Sequence, residues 1–130
     1  MRVAAPGRVD LAFGEGWHPL EELGAKRWRW SAGTAGITIT NPSPAPLTVS
    51  LHLRVRALGR GRLHVDLADA RLGVRTLSGN PQRFDYSGVV LPPGKSTLIL
   101  QIDGPAGRAS ETDPRVLAVA LSELAVSAAP

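Results

Sequence analysis

The feature that most restricts the fold of this chain is a run of twelve residues, 47–58, in which apolar and polar side chains alternate. A two-residue period is that of a β-strand, whose successive side chains point to opposite faces of a sheet. The run therefore predicts a long strand with one apolar face and one polar face. The apolar positions are Leu47, Val49, Leu51, Leu53, Val55 and Ala57, and the polar ones are Thr48, Ser50, His52, Arg54 and Arg56.

Shorter segments with strand-like patterns fill the rest of the chain and are separated by turn residues. The 14 glycines and 11 prolines favour many turns and disfavour a helical bundle. Further strands are predicted at 8–13, 27–31, 35–40, 63–67, 71–77, 82–87, 96–102 and 116–126, and a short apolar segment at 89–91 runs into the turn at Pro92. The first half of the last segment also fits a helical period, but its β-rich context favours a strand.

This pattern predicts an all-β fold, an antiparallel β-sandwich of jelly-roll type with eight or nine strands. No segment suggests a helix that could connect parallel strands. A length of 130 residues fits one domain, 1–130, with its core within about 8–126. No stretch approaches the ~20 apolar residues that cross a bilayer as a helix, so no membrane span is predicted.

The chain is basic, with 15 Lys and Arg against 11 Asp and Glu and a formal net charge of +4. Its densest basic run extends from Arg54 to Arg62, and in it Arg54 and Arg56 alternate with apolar residues. This alternation is typical of a solvated sheet face, on which arginine stems cover apolar surface. No aromatic residue interrupts the run, so a nucleic-acid partner is not predicted.

Motifs for catalysis or metal binding are lacking in the sequence. There is no cysteine, the spacing of His18, His52 and His64 matches no metal motif, and no serine lies in a Gly-x-Ser-x-Gly turn. His52 and His64 fall on the polar faces of strands and would lie near each other if those strands paired. A glycosidase would need two carboxylates that face each other, one as the acid and one as the base. Ion pairs between the carboxylates and the many arginines are the favoured interpretation instead. We therefore predict no enzymatic activity, no cofactor and no metal.

Three of the few aromatic residues, Trp17, Trp28 and Trp30, lie within fourteen positions. The flat apolar face of an indole suits the C–H face of a sugar ring, while nearby polar groups can bind the hydroxyls. Trp28 and Trp30 alternate with arginines, so both are expected to point inward as core residues. Trp17 falls in a loop between glycine turns and is the tryptophan best placed to reach a ligand.

Several short segments together resemble a known family. They are Gly16-Trp-His-Pro-Leu-Glu21, Arg27-Trp-Arg-Trp-Ser31, Leu91-Pro-Pro-Gly-Lys95 and Asp113-Pro-Arg-Val-Leu-Ala-Val119. Their order is similar to that in the jelly-roll, carbohydrate-binding-module-like domains of bacterial membrane glycosyltransferases and related cell-envelope proteins. The likeness extends over about residues 14–126. His18 departs from it, because an aromatic residue is common at that position in the family.

The resemblance implies a non-catalytic module that recognises glycan or supports a neighbouring membrane glycosyltransferase domain. The predicted ligand-binding residues are Trp17, His18, Glu21, Tyr86, Asp113 and Arg115. An extracytoplasmic location is expected if the chain is a domain of an envelope protein, whereas a free-standing protein would leave the location open. The alternative function is a structural or protein-interaction β-sandwich without a sugar ligand.

Overall fold

The computed structural model describes residues 2–4, 9–58, 60–68, 70–103 and 117–128, which form eleven β-strands and no helix. The strands are β1 (Arg2–Ala4), β2 (Asp10–Phe13), β3 (Glu21–Leu23), β4 (Lys26–Trp30), β5 (Ala35–Asn41), β6 (Leu47–Ala57), β7 (Gly61–Leu67), β8 (Ala70–Leu77), β9 (Gln82–Leu91), β10 (Gly94–Asp103) and β11 (Val119–Ala128). The all-β prediction is confirmed. The count exceeds eight or nine because β1 and β3 have three residues each, too few to show a period.

The strands form two sheets. Sheet 1 has the order β3-β4-β11-β6-β9, with β1 running parallel to β11, and sheet 2 has the order β2-β5-β10-β7-β8. The antiparallel pairs β4–β11, β5–β10, β6–β9 and β7–β8 are nested in the sequence and alternate between the two sheets. A long hairpin that is rolled over on itself has this arrangement, so the predicted jelly-roll sandwich is confirmed.

The main core lies between the sheets and contains the apolar face of β6, as the alternating run predicts. Leu51, Leu53 and Val55 are almost completely buried, and the aligned Leu98 and Leu100 of sheet 2 are equally so. The polar face of β6 is consequently the outer face of sheet 1. No helix in the described part of the chain is long and apolar enough to span a membrane.

A β-bulge makes β9 one continuous strand where the sequence suggested two. Val49 of β6 pairs with Val89 and Leu51 pairs with Tyr86, so two residues of β9 lie opposite one residue of β6. One of those two is Gly88, whose φ of 66° is readily adopted only without a side chain. The extra residue keeps both Tyr86 and Val89 on the inner face.

Candidate functional site

Trp28 and Trp30 lie on the outer face of sheet 1. In the register of β4 with β11, Trp30 pairs with Ala120 and Arg29 pairs with Leu121. Leu121 belongs to the main core between the sheets, whereas Ala120 does not. Since paired residues of antiparallel strands share a face, Arg29 points inward and the two tryptophans point outward. The expectation that they point into the sandwich is wrong, because strict alternation fits either face.

Trp30 is nevertheless buried, with 4% of its surface exposed. It belongs to a second apolar cluster, outside the sandwich, whose members and neighbours are Trp30, Leu117, Ala120, Trp28 and Leu58. The guanidinium of Arg56, on the outer face of β6, lies over the Trp30 ring, 4.8 Å from its centroid. The outer face of sheet 1 therefore carries an apolar floor beneath its charged side chains.

An open groove of about 680 Å³ lies on this face, lined by residues of β4, β11 and β6, and we call it the outer groove. Ala120 and Ser122 of β11 line it and, because both are small, they leave space between the side chains of the two adjacent strands. Trp28 of β4 forms one wall, and Arg54 and Arg56 of β6 form the other. The remaining lining residues are Leu23, Ala25, Lys26, Arg27, Gly79 and Pro81.

A bulge in β11 shapes the groove next to Ser122. The register with β6 shifts between Leu121 and Glu123, so that Ser122 has no direct partner on β6. The Ser122 hydroxyl instead donates a hydrogen bond of 3.2 Å to the backbone carbonyl of Arg54. This bond ties the bulge to the strand that carries the two arginines of the opposite wall.

The groove is basic. Of the described residues that line it, four are basic, namely Lys26, Arg27, Arg54 and Arg56, and none is acidic. Arg27 forms an ion pair of 3.3 Å with Glu22 on the neighbouring strand β3. The groove thus combines an indole face, guanidinium donors and a positive charge, which suits a ligand with an apolar face and oxygen acceptors.

Trp17, by contrast, is fixed in the rim of the sandwich. Its indole Nε1 donates a hydrogen bond of 2.9 Å to the carbonyl of Gly36, and its ring meets Phe13 edge to face at 5.2 Å. The preceding Gly16 has a φ of 95°, and a Cβ there would lie 2.5 Å from the carbonyl oxygen of Thr34. These contacts hold a half-buried tryptophan against the main core. Trp28 differs, because its buried Nε1 has no acceptor among the described residues.

His18 and Glu21 lie near Trp17 in sequence and reach the same end of sheet 1. The backbone N–H of His18 donates a hydrogen bond of 2.8 Å to the carbonyl of Trp30. Glu21 is the direct partner of Trp28 in the antiparallel pair of β3 and β4. Glu21 therefore shares the outer face of sheet 1 with Trp28 and stands beside the outer groove.

Tyr86 lies at the opposite edge of sheet 1, on the inner face of β9. Only 8% of its surface is exposed, and burial raises the pKa of its phenol. It lines a second cavity of about 440 Å³ that includes Leu67 and Leu72 of sheet 2. The structure does not bring Tyr86 together with Trp17, His18 and Glu21. The other two predicted residues, Asp113 and Arg115, lie outside the described residues.

His52 and His64 lie on the outer faces of different sheets, so the idea that they are neighbours is wrong. His52 contacts Asp85, and Arg83 donates to the same carboxylate at 3.0 Å. Hydrogen bonding to His52, followed by that to Arg83, holds the pKa of Asp85 below its ordinary value. Within the described ranges no group of three or more metal-binding side chains comes together.

The outer groove is not predicted by the sequence pattern, although residues of both its walls stand out in the sequence. The groove exists because β11 lies between β4 and β6, and these pairings join residues between about 60 and 90 positions apart. Period alone does not choose which face of β4 carries the tryptophans. The available signal was the placement of Trp28 and Trp30 among Lys26, Arg27 and Arg29, together with Arg54 and Arg56 on a polar strand face.

No protein-family model matches the sequence, and no curated protein matches it either. Solved structures with a similar fold do exist. A mutant of the family 29 carbohydrate-binding module CBM29-2 is 12% identical, with a TM-score of 0.48 over 94% of this chain and 82% of that one. The Podospora anserina GH26-CBM35 β-(1,4)-mannanase is 15% identical, with a TM-score of 0.50 over 96% of this chain and 29% of that one.

A third similar structure is the family two carbohydrate esterase from Clostridium thermocellum, solved in complex with cellohexaose. It is 9% identical, with a TM-score of 0.51 over 93% of this chain and 34% of that one. This chain therefore spans about a third or less of the two enzymes. At such identities the two structures with TM-scores of 0.50 and 0.51 show a similarity of fold alone.

Proposed function

We propose that this domain is a non-catalytic module that binds a carbohydrate chain in the outer groove of sheet 1. The observation that carries the proposal is the pairing of an aromatic wall, Trp28, with a hydrogen-bonding wall, Arg54 and Arg56, across a floor of small residues. The jelly-roll fold, which resembles that of carbohydrate-binding modules, agrees with it.

The two walls match the two kinds of surface on a sugar. A pyranose ring has C–H groups that pack on an indole and hydroxyl oxygens that accept hydrogen bonds from a guanidinium. The volume of about 680 Å³ falls within the range of small-molecule sites, ~300–1,000 Å³.

The proposal moves the main aromatic contact from Trp17 to Trp28. The N–H of Trp17 is already bonded to Gly36 and its ring packs on the core, so removal of the ring would disturb the fold. Glu21 fits the new site, because it is the partner of Trp28 on the same face. As ligand-binding residues, Trp17, His18, Tyr86, Asp113 and Arg115 stay predictions.

We also propose, from the resemblance of residues 14–126 to envelope-associated domains, that the module serves a cell-envelope glycosyltransferase outside the cytoplasm. The segments Gly16–Glu21 and Arg27–Ser31 support this proposal. Fractionation of cells that express the native protein would test it. Recovery in the envelope fraction together with a glycosyltransferase is expected, and recovery in the cytosol alone would contradict it.

A second candidate function, docking of a protein partner without a sugar ligand, is favoured by one observation. Leu23, at the end of the edge strand β3, is 71% exposed, and Leu20 just before that strand is 40% exposed. Apolar side chains beside an unpaired strand edge are a surface that another chain can cover. Leu23→Ser would weaken such docking, whereas it would leave the tryptophan wall of the groove in place.

The experiment for the main proposal is a glycan array, followed by calorimetry with the sugars found, for the native protein and two variants. Trp28→Ala removes the aromatic wall and is expected to weaken binding by about tenfold or more, ~1.4 kcal/mol. Trp17→Phe, the matched control, keeps a ring on the core and is expected to retain binding. A folded protein that binds no sugar would contradict the proposal and favour partner docking. Binding lost only in Trp17→Phe would place the site in the loop.

A further inference from the structure

We infer that the outer groove selects acidic saccharides, whose carboxylate or sulfate groups are bound by Arg54 and Arg56. This inference rests on the proposed function, because it names the class of sugar that occupies the same groove. A neutral sugar would use the guanidinium groups only as hydrogen-bond donors. An acidic sugar would also use their charge, and charge-assisted hydrogen bonds are about twice as strong as neutral ones.

Arg54 and Arg56 form no ion pair with a carboxylate among the described residues. Other arginines do form such pairs, with N–O distances of 3.0–3.9 Å, namely Arg27–Glu22, Arg62–Asp103, Arg71–Asp66 and Arg83–Asp85. In the part of the chain that the structure describes, no ion pair involves Lys26, Arg54 or Arg56. Their charge is available to a ligand.

Arg54 and Arg56 form a row beside the aromatic wall of the groove. They are two residues apart on one strand face, which separates their Cα atoms by about 7 Å. Arg56 is half-buried and lies 4.8 Å from the Trp30 ring centroid, which orders its side chain before a ligand arrives. Arg54 is exposed, and its carbonyl is held by Ser122. An acidic sugar bound between Trp28 and this row would meet both charges.

Nearby acids reduce this charge without removing it. Glu22 neutralises Arg27 at one end of the groove. Glu123 is the direct partner of Arg54 in the pairing of β11 with β6, but it does not line the groove. Glu21 is the direct partner of Trp28 and stands beside the groove on the same face. Four basic residues line the groove and these three acids lie beside it, so a positive charge remains, and Arg56 has no acidic partner in the described strand pairings.

The groove favours a saccharide over a nucleic acid as the source of the negative charge. Single-stranded nucleic acids bind on several aromatic side chains that stack successive bases. Among the described residues that line the groove, one is aromatic, namely Trp28. Trp30 lies buried beneath Arg56 and is not available for stacking. One indole with adjacent donors is enough for a sugar ring.

The test compares acidic oligosaccharides with their neutral methyl esters, which share the same sugar backbone and replace each carboxylate with an uncharged ester. The panel contains galacturonate, mannuronate and glucuronate oligosaccharides, and binding is measured by calorimetry at two salt concentrations. We expect the acids to bind about tenfold or more tightly than the esters, and this preference to shrink as salt rises. The double variant Arg54→Gln/Arg56→Gln should lose the preference, and the matched control Arg62→Gln/Arg71→Gln on sheet 2 should keep it.

The outcomes separate this inference from the proposed function. Esters bound as tightly as acids, with no effect of Arg54→Gln/Arg56→Gln, would overturn the selectivity and leave carbohydrate binding intact. Binding of neutral sugars but not of acidic ones would also overturn the selectivity and leave carbohydrate binding intact. No binding to any sugar would contradict the proposed function as well. Binding of a single-stranded oligonucleotide through Arg54 and Arg56, with no acidic sugar bound, would assign the charge to nucleic acid instead. Retention of native far-ultraviolet dichroism confirms that each variant is folded.

Discussion

The outer faces of the two sheets are built from strands with the same alternation, yet they present different surfaces. On sheet 2, the Nε2 atom of His64 in β7 lies 2.6 Å from the Oδ2 atom of Asp103 in β10, and the Nε atom of Arg71 lies 3.0 Å from the Oδ1 atom of Asp66. On sheet 1, Arg54 and Arg56 face Trp28 across a groove and have no ion-pair partner among the described residues. Thus a polar strand face becomes a solvated surface or a candidate site according to what its neighbouring strands contribute.

The difference arises from the residues on the central strands. β10, central in sheet 2, carries Thr97, Ile99 and Gln101 outward, at the positions that alternate with its buried leucines. β11, central in sheet 1, carries Ala120 and Ser122 in the corresponding role. Small residues between large ones open a groove, whereas side chains of similar size give an even surface. Substitutions on the two outer faces test this comparison.

The largest expected effect concerns the second apolar cluster, which gives the outer face of sheet 1 its own buried layer. Trp30→Ala should lower the free energy of unfolding by about 3–5 kcal/mol, because it removes a large buried side chain. Ile99→Ala, at a half-buried position on the outer face of sheet 2, should cost less than about 2 kcal/mol. Urea unfolding of both variants measures the difference. Equal costs would mean that the outer faces do not differ in buried apolar structure.

An intermediate effect concerns the floor of the outer groove. Ser122→Leu would fill the space between Trp28 and Arg54 and is expected to reduce carbohydrate affinity by about tenfold or more, ~1.4 kcal/mol. Thr97→Leu likewise replaces a small hydroxyl residue with leucine, on the exposed outer face of sheet 2, and should leave the affinity unchanged. Calorimetry with the best glycan from the array measures both. Loss of affinity in Thr97→Leu would move the site to sheet 2.

The smallest effect concerns the part of sheet 1 that resembles sheet 2, where His52 and Arg83 contact Asp85. Because these contacts lower the pKa of Asp85, they stabilise the fold above the ordinary carboxyl pKa. This stabilisation is lost as pH falls through the lowered value. Carboxyl chemical shifts followed by NMR should show a larger rise in the Asp85 pKa for His52→Ala than for Arg83→Gln. The reverse order would show that Arg83 is the stronger partner.

Much of the fold follows from local pattern. The alternation along β6 assigned each of its residues to the correct face, since a strand that is buried on one side leaves only one stable register. The site was less accessible to this reasoning. Trp28 and Trp30 were assigned to the interior, although burial of Trp30 occurs on the outside of sheet 1. Alternation reports that two faces differ, but it does not say which face meets the core.

Strand positions, turns and the all-β class were thus encoded locally, because the direction of each side chain in a strand depends on its immediate neighbours in the chain. The outer groove was decided by the long-range pairing of β11 with β4 and β6, which places Ser122 between Trp28 and Arg54. Local periodicity contains no information about such long-range contacts. They depend on which strand edges meet, and that choice is made by the burial of the whole core.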